Sequence, residues 1–356
     1  MEKIRILHPP PLPMKGLCFS ALQQDKKKAL QGLNLLRKTF ALFPCKKAIK
    51  CIFAIEEARY SLEFQQVIPS LEKCYLYLYL QKEGNPLMRP VANYLSALQY
   101  MQKTPPKRLS IAYLERLHAL IEKDSTISPS DIGHIRTRQN WIGPENCSLE
   151  EAYFIPPPAE TVPTSLQNAL QYFAFEAKDP LIRLPLFFSY FLLIHPFMDA
   201  NGRIARLLIP LFLTKAKLLQ AGPLTLSRYF FKNRKRYLNK LLFVSTKKQW
   251  EEWILFFLRG IEEQCTYQVA VIHALQRLYE KLLATVSCKN QKKLLFFLME
   301  NPVFTLGTFR EKFTDLETKQ ALQMLCKKKI VVMKKKNNKT IYVFSAFFQK
   351  IKNPAL

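Results

Sequence analysis

The sequence predicts a mostly α-helical protein with one small β-hairpin near its middle and a winged helix-turn-helix at its C-terminal end. Two observations predict the helices. Apolar residues recur at three- and four-residue spacing along most of the chain, and only 9 of the 356 residues are glycine. A third observation predicts the C-terminal unit, since short helical patterns there give way to two strand-like runs joined by a lysine-rich segment.

The predicted helices follow one another with few interruptions after a proline-rich start. They occupy about residues 19–82, 89–102, 109–123, 162–177, 180–194, 202–219, 231–244 and 249–285. Between them, Gly133 to Ile155 carries aromatic and β-branched residues around the turn-forming Gly143-Pro144, which indicates a β-hairpin or an extended loop.

The end of the chain has a different pattern. It predicts helices at about 291–300, 306–313 and 316–328, then strands at Ile330–Met333 and Thr340–Phe344. These changes divide the chain into three predicted regions, an N-terminal helical region (1–88), a core (89–287) and a winged helix-turn-helix (288–356).

The net charge of +27 favours a polyanionic partner such as nucleic acid, with a merely solvated basic surface as the open alternative. The eight cysteines are scattered singly, which indicates reduced thiols and a cytoplasmic location. Leu181 to Ile194 is the most apolar stretch, but it contains Arg183 and Pro185 and is too short to span a bilayer, so no membrane association is expected. Secretion as an effector, by a route without a sequence signal, stays open.

The segment His195-Pro-Phe-Met-Asp-Ala-Asn-Gly-Arg-Ile-Ala-Arg206 carries the strongest chemical signal. His195 is followed by a proline, which stops a long apolar helix because proline disfavours a helical residue before it. Asn201 is a favoured residue at a helix start, and Arg203 and Arg206 lie one turn apart on the next helix. A loop that leads into a helix N-terminus is an anion site, since unpaired N–H groups and the helix dipole face it.

The polar residues of this segment suit phosphate chemistry. The two arginines supply planar charged donors for phosphate oxygens, Asp199 supplies an oxygen ligand for Mg²⁺, and His195 supplies a base. Together they favour phosphoryl or nucleotidyl transfer. The alternative is a helix stop followed by an ordinary capped helix, which explains any one of these residues but not the whole set.

The segment resembles the signature of Fic proteins: His-Pro-Phe, two residues of which the second is acidic, a small residue, then Asn-Gly-Arg-x-x-Arg. Flanking similarities lie in Arg89–Leu98, Gly133–Gly143, Phe154–Pro158, Leu226–Tyr229 and Trp250–Trp253. Over roughly residues 40–350 the chain is similar to the Fic subgroup with an N-terminal inhibitory helix, a helical catalytic core and a C-terminal winged helix.

The resemblance implies a protein adenylyltransferase that moves AMP from ATP to a Ser, Thr or Tyr hydroxyl of a target protein. His195 is implied to deprotonate that hydroxyl, and Asp199 to hold Mg²⁺ against the phosphates. The remaining phosphate-binding residues implied by the signature are Asn201, Gly202, Arg203 and Arg206.

Other roles follow from the same resemblance. Ala200, in the ATP-binding loop, stands where the family usually has glycine, and alanine is strained there if the position needs a positive φ. Tyr229 and Tyr237 are candidates for walls of the adenine pocket, although a place in the aromatic core is the favoured alternative for each. The edge around Ile135, Arg136, Thr137 and Trp141 is implied to be a flap that pairs with the target's extended backbone.

Alignment to the subgroup assigns the inhibitory glutamate to Glu63, with Glu56 and Glu57 as fallback candidates. Arg59 stands where the motif has Ser or Thr, and Phe64 where it has Gly. Two alternatives therefore stay open, a carboxylate that still blocks the nucleotide site and a switch that has decayed.

The expected partners are a target protein, the chain itself as an acceptor, a second copy in a homodimer, and DNA at the basic C-terminal unit. Two rival functions are kept. One is removal of AMP, or transfer of another nucleotide moiety, at the same site. The other is a DNA-binding regulator in which the core only senses nucleotide.

Overall fold

A computed structural model describes residues 18–62, 68–80, 88–144, 147–174, 179–219, 224–286, 289–336 and 339–354. The predicted fold class is confirmed, because helices dominate this part of the chain and its strands form one small sheet. The predicted region boundaries, after residue 88 and before residue 288, stay predictions.

The helices of the first two thirds of the chain are α1 (Gln23–Leu42), α2 (Lys46–Ser61), α3 (Leu71–Leu80), α4 (Arg89–Lys103), α5 (Ile111–Ile121), α6 (Val162–Ala174), α7 (Pro180–Ile194), α8 (Asn201–Lys215), α9 (Ser227–Lys232) and α10 (Arg234–Lys247). The remaining elements are α11 (Trp250–Leu283), α12 (Lys289–Glu300), β1 (Val303–Thr305), α13 (Leu306–Arg310), α14 (Leu316–Lys327), β2 (Val331–Lys336), β3 (Lys339–Phe344) and α15 (Ser345–Lys352).

Helix α7 lies in the centre of the core. Twelve of its 15 residues are buried, as expected for a helix that is apolar on all sides. Neighbouring helices α6, α8, α10 and α11 pack around it. Because α7 is enclosed by its neighbours, the loop at its C-terminal end starts from a rigid base.

The first and the longest helices, α1 and α11, pack along each other. They approach closely at Gly32, where a Cβ atom would lie 3.0 Å from the Cβ of Cys265. The ion pair between Asp25 and Arg259 joins residues 234 positions apart in sequence. This contact ties the beginning of the described chain to its last third.

Helix α2 runs into the middle of the molecule, where it packs against α4, α8 and α9. Its buried face includes two glutamates, Glu56 and Glu57. Helix α2 therefore brings charged groups and its C-terminal end to the side of α8.

The described part of the C-terminal unit has four helices, α12 to α15, and a three-stranded antiparallel sheet in the order β1-β3-β2. The hairpin pairs Val331 with Phe344 and Lys336 with Lys339. Its apolar side packs on α14 and α15, and α15 packs in turn on α11. Strand β1 and helix α15 are elements that the sequence pattern did not predict.

The predicted β-hairpin between Gly133 and Ile155 is not formed by regular strands in the described residues. It is an irregular loop with one isolated bridge, between Ile142 and Phe154. Several of its side chains donate to carbonyls outside any ladder: Arg136 to His195 O, Gln139 to Pro156 O, and Trp141 to Cys147 O within the loop itself. The prediction of an extended loop, the other alternative, fits this segment better.

Among the described helices, none combines the length and the apolar composition needed to cross a membrane.

Candidate active site

A cavity of about 630 Å³ opens where the end of α2, the 133–155 loop and the α7–α8 loop meet. This volume lies within the usual range of small-ligand pockets, which is about 300–1,000 Å³. Seven of the predicted site residues line it together with the predicted flap residue Trp141. The main lining residues are Ser61, Trp141, Cys147, His195, Asp199, Ala200, Asn201, Gly202, Arg203 and Arg206.

The loop between α7 and α8 is bracketed by two residues in the left-handed region. His195 ends α7 with φ 49° and ψ 62°, and its N–H donates to Phe191 O at 3.1 Å. Ala200 precedes α8 with φ 61° and ψ 7°. An alanine in this region costs about 1 kcal/mol, so the strain anticipated at this position is present.

Asn201 and Gly202 shape the start of α8. The Asn201 side chain closes the loop on itself, since its Oδ1 accepts from Phe197 N at 2.9 Å and its Nδ2 donates to Phe197 O at 2.8 Å. A Cβ atom at Gly202 would lie 3.0 Å from Nη1 of Arg206. A larger residue there would therefore crowd the Arg206 guanidinium, which lies beneath the helix start.

Arg136 fastens this loop from the inside. Its guanidinium donates to the carbonyls of His195, at 2.8 Å, and of Ile194, at 3.3 Å, and to that of Pro157. Its own N–H donates to Pro196 O at 2.9 Å. The side chain is 2% exposed, and burial lowers its pKa to about 10. Arg136 was predicted as part of the edge that pairs with the target's backbone, and that pairing stays a prediction. Its guanidinium lies inside the protein and positions the His195 loop.

His195 is half-buried at the cavity wall. Its Nδ1 lies 3.0 Å from Nδ2 of Asn140. Burial lowers the pKa of His195 to about 4, the nearby Arg136 acts in the same direction, and Asp199 opposes them. The imidazole is therefore neutral at pH 7, as a base must be.

Arg203 lies between two carboxylates. Its Nη2 is 2.5 Å from Oε1 of the buried Glu122 and 3.2 Å from Oδ2 of Asp199. Burial raises the pKa of Glu122, and the charge of Arg203 opposes that rise. Glu122 thus fixes Arg203 at the cavity, while the Asp199 side chain stays 59% exposed.

Arg206 is 1% exposed and faces the end of α2. Its Nε donates to Ser61 Oγ at 3.1 Å and its Nη2 to Ser61 O at 2.8 Å. Glu63, predicted as the inhibitory residue, lies outside the described residues, so its role stays a prediction. The segment before it nevertheless contacts the second signature arginine.

The two fallback glutamates are buried in α2 and bonded elsewhere. Glu57 accepts from Ser227 and from Tyr94. Burial raises its pKa, and the charge of Arg206 is among the opposing influences. Glu56 pairs with Arg59 at 3.3 Å and accepts from Tyr267 at 2.9 Å, so Arg59 is bonded within its own helix.

Tyr229 and Tyr237 are not among the described residues that line the cavity. Both are at least 96% buried, in an aromatic cluster with Phe230, Trp253 and Phe256. Tyr229 donates its hydroxyl to Phe256 O at 3.2 Å. The core alternative therefore describes their positions.

The remaining flap residues are divided between interior and surface. Ile135 is half-buried, and its N–H donates to Glu115 Oε1 at 3.3 Å. Thr137 is exposed. Trp141 and Ile142 are each 40% exposed at the cavity mouth, where an incoming polypeptide could reach them.

Sequence reasoning missed Asn140, Glu122, His118 and Ser61. His118 is fully buried, stacks on Phe197 at 4.3 Å and accepts the Gly133 N–H at 2.9 Å. His118 and Glu122 are four residues apart and share a face of the α5 region, a spacing that could have identified them as a polar pair. No comparable pattern marks Asn140 or Ser61.

Comparison with known proteins agrees with this geometry. Residues 108–213 match the model of the Fic/DOC family, and this stretch contains α5, the 133–155 loop, the His195 loop and most of α8. Residues 108–213 therefore form a Fic domain, and the resemblance to Fic proteins is confirmed for this stretch. The subgroup with an inhibitory helix and a winged helix stays a prediction.

A probable protein adenylyltransferase of Aquifex aeolicus (strain VF5) is 31% identical over 91 residues, which is 25% of this chain and 26% of that protein. The match thus spans about a quarter of that relative.

Two solved structures share the fold. A Fic family protein from Desulfovibrio desulfuricans G20 is 17% identical with a TM-score of 0.58, and the alignment covers 94% of this chain and 98% of that one. Fic-1 of C. elegans is 18% identical with a TM-score of 0.55, over 72% of this chain and 74% of that one.

Proposed function

We propose that the protein is an adenylyltransferase that transfers AMP from ATP to a Ser, Thr or Tyr hydroxyl of a target protein, which includes the chain itself as an acceptor. One observation carries the proposal: a neutral histidine, an exposed carboxylate and two arginines line the same cavity of about 630 Å³. The name of the Aquifex relative supports the same reaction class.

The chain's own residues have distinct tasks in this proposal. His195 takes the proton of the target hydroxyl, because its pKa is low enough to keep the ring neutral. The N–H groups at the start of α8 and the side chains of Arg203 and Arg206 bind the phosphates. Arg136 and Asn201 hold the loop in position, and pre-positioning of this kind supplies much of the rate of phosphoryl transfer.

Asp199 is suited to Mg²⁺ because its carboxylate is 59% exposed and lines the cavity. One carboxylate together with substrate phosphates is a common way for proteins to bind this ion. When bound, Mg²⁺ neutralises phosphate charge and orients the triphosphate. Asp199 would then exchange its contact with Arg203, at 3.2 Å, for the ion.

The target is proposed to enter along Trp141 and Ile142, the exposed apolar residues at the mouth. Backbone pairing at such an edge gives affinity without strict sequence requirements. The backbone groups of Ile142 are already bonded to Tyr153 and Phe154. Backbone pairing with the target therefore has to come from other residues of the 135–142 edge.

The decisive experiment incubates the protein with α-labelled ATP, Mg²⁺ and a cell lysate. We expect label on the chain or on a target, and a loss of roughly 100-fold or more in His195→Ala. His134→Ala is the matched control, since His134 is exposed on the neighbouring loop and should leave the label unchanged.

Label of equal strength in wild type and His195→Ala, or no label in either, would contradict the proposal. Mass spectrometry of the products obtained with ATP, UTP and GTP distinguishes adenylylation from transfer of another nucleotide moiety. A pre-adenylylated target in the same assay reveals removal of AMP.

A second candidate function is a nucleotide-sensing DNA-binding regulator. Residues 289–356 contain 15 Lys or Arg and 4 Asp or Glu, and Lys319, Gln320 and Gln323 are exposed on α14. A basic exposed helix beside a basic hairpin suits contacts to a DNA backbone. A mobility shift that depends on ATP, and persists in His195→Ala without any transfer, would favour this function.

A further inference from the structure

Asn140 belongs to the 133–155 loop and faces the His195 loop, and it is only 6% exposed. Its Nδ2 lies 3.0 Å from His195 Nδ1 and donates to Phe197 O at 3.0 Å. Its Oδ1 is buried and has no hydrogen-bond partner among the described residues. A buried polar atom without a partner is uncommon enough to require an explanation.

We propose that Asn140 is a positioning residue that selects the tautomer of His195, holding the ring in an inactive form at rest and in the basic form when its amide makes a half-turn. The inference rests on the proposed adenylyl transfer, in which His195 is the base. Nothing in the comparisons assigns a role to Asn140.

The resting arrangement determines where the ring hydrogen lies. The Asn140 NH₂ group can only donate, so Nδ1 of His195 must accept and the hydrogen must be on Nε2. Nε2 has no hydrogen-bond partner in the described part of the chain, and the ring lines the cavity. A nitrogen that already carries hydrogen cannot take the target's proton, so Nε2 of His195 cannot act as the base in this arrangement.

The ring is neutral, which makes the choice of tautomer decisive. Burial and Arg136 lower the pKa of His195 to about 4 against the opposing charge of Asp199. Arg136 faces the ring from the flap side, and Asp199 belongs to the same loop. With a single ring hydrogen at neutral pH, the group that faces Nδ1 decides which nitrogen is free to act as a base.

A half-turn of the Asn140 amide gives the other tautomer. Oδ1 then faces Nδ1 and accepts its hydrogen, so the unpaired oxygen gains a partner and Nε2 is left bare towards the cavity. Phe197 O then faces the acceptor Oδ1 at the place where Nδ2 donates to it at rest, and it keeps the donor Nδ2 of Asn201 at 2.8 Å. The oxygen–oxygen contact and the unpaired Nδ2 favour the resting arrangement until His195 takes up a proton and its Nδ1 hydrogen needs an acceptor.

The transfer step itself requires the turned amide. As the target oxygen forms its bond to the α-phosphorus of ATP, the bond from that phosphorus to the bridging oxygen breaks and pyrophosphate leaves with the electron pair. The hydroxyl proton moves to Nε2 of His195. The resulting imidazolium carries hydrogen on both nitrogens, and only Oδ1 of Asn140 can accept from Nδ1, since Nδ2 would oppose hydrogen to hydrogen. The ring afterwards releases the Nε2 proton to solvent.

The first test reads the tautomer directly. The full chain, labelled with ¹⁵N at the imidazole nitrogens, is studied by NMR at pH 7 without nucleotide. Its five histidines are distinguished by the signals missing in His195→Gln. We expect hydrogen on Nε2 in wild type, and on Nδ1 in Asn140→Asp, whose carboxylate can only accept.

Gln139→Leu is the matched control, because Gln139 is adjacent and bonded to Asn140 O and Pro156 O but not to the ring. It should keep the wild-type tautomer. Hydrogen on Nδ1 in ligand-free wild type overturns the proposal, and this result needs no variant that folds.

The second test measures transfer against pH. Asn140→Asp is expected to move the acid limb of the kcat profile to higher pH, since a carboxylate beside the ring favours its protonated form. Asn140→Leu is expected to lower kcat by roughly 100-fold without changing the Kd for ATP. Wild-type kcat and an unshifted profile in both variants would overturn the proposal.

The two tests separate failure of this inference from failure of the proposed adenylyl transfer on which it rests. If wild type transfers no nucleotide to any acceptor, the proposed function fails while the NMR result still decides the tautomer. If wild type transfers AMP but the tautomer is unaffected by Asn140, the function stands and this inference fails.

Discussion

The Fic domain and the described part of the C-terminal unit differ in the burial of charged side chains, since the first buries several and the second buries none. In the Fic domain, Arg136, Arg206 and Glu122 are each at most 2% exposed. Among the side chains described from residue 289 onward, Thr318 is the only buried polar one. None of the described lysines there is buried. Removing a charge from water is costly unless it is paired or hydrogen-bonded. The comparison teaches that, of these two regions, only the Fic domain buries charge, and that two of its buried charges, Arg136 and Glu122, hold parts of the candidate site.

The same difference appears in what stabilises each region. The C-terminal unit is held by apolar packing, such as Phe297 against Phe304 and Phe313. The His195 loop is held by directed hydrogen bonds from Arg136, Asn140 and Asn201. Substitutions of buried charged residues in the first region should therefore have large effects, and substitutions of charged residues in the second region small effects.

The largest effect is expected for Arg136→Met. The substitution leaves the carbonyls of Pro157, Ile194 and His195 without their buried donor, and each unsatisfied group costs roughly 1–3 kcal/mol. The free energy of unfolding should fall by about 3–5 kcal/mol, as measured by chemical denaturation followed by circular dichroism.

Arg138→Met is the matched control two residues away. Its side chain is 55% exposed and pairs at 2.6 Å with Asp131, whose side chain is 10% exposed. Water screens the exposed arginine, so the expected loss is smaller than for Arg136→Met, on the order of 1 kcal/mol. Equal losses of unfolding free energy in the two variants would show that the buried hydrogen bonds of Arg136 stabilise the protein no more than the ion pair of Arg138 does.

The second effect concerns pH and His118. Burial, with a contribution from Arg203, lowers its pKa to about 4, below the ordinary value of about 6.5. The folded state therefore binds fewer protons than the unfolded state between about pH 4 and 6.5, so the stability present above pH 6.5 is lost as the pH falls through this window. The buried carboxyls Glu56, Glu57 and Glu122 have raised pKa values and contribute with the opposite sign.

In His118→Gln the loss of stability between pH 6.5 and pH 4 should shrink by an amount on the order of 3 kcal/mol. Comparing the variant with wild type cancels the contribution of the carboxyls. The measurement is the free energy of unfolding across this range, with His134→Gln as the exposed control. Parallel curves for wild type and His118→Gln would contradict the assignment.

The smallest effect is expected in the C-terminal unit. Lys334 of β2 pairs with Glu72 of α3, and both side chains are partly exposed, at 47% and 29%. Lys334→Ala should lower the free energy of unfolding by less than about 1 kcal/mol. Thermal or chemical unfolding tests this, and a loss as large as that of Arg136→Met would erase the contrast between the regions.

The sequence was sufficient to predict α12 to α14 and the β2–β3 hairpin, because alternation and helical spacing of apolar residues determine these elements, but it did not predict β1 or α15. It also identified His195, Asp199, Arg203 and Arg206, whose clustering in twelve residues is visible without a structure. It could not predict that Arg136 turns inward, because a flap arginine looks the same whether it faces a target or three carbonyls. It could not find Ser61 or Asn140 either, since their contacts to Arg206 and His195 span 145 and 55 residues.

The pairing of α1 with α11 has a consequence for synthesis. The apolar face of α1, with Leu33 and Leu36, packs against a helix that begins at Trp250. The ribosome must therefore add more than 200 residues, at about 5–20 per second, before the partner of α1 exists. During those tens of seconds this amphipathic helix has to be shielded by other means, so the earliest part of the described chain is among the last to reach its final place.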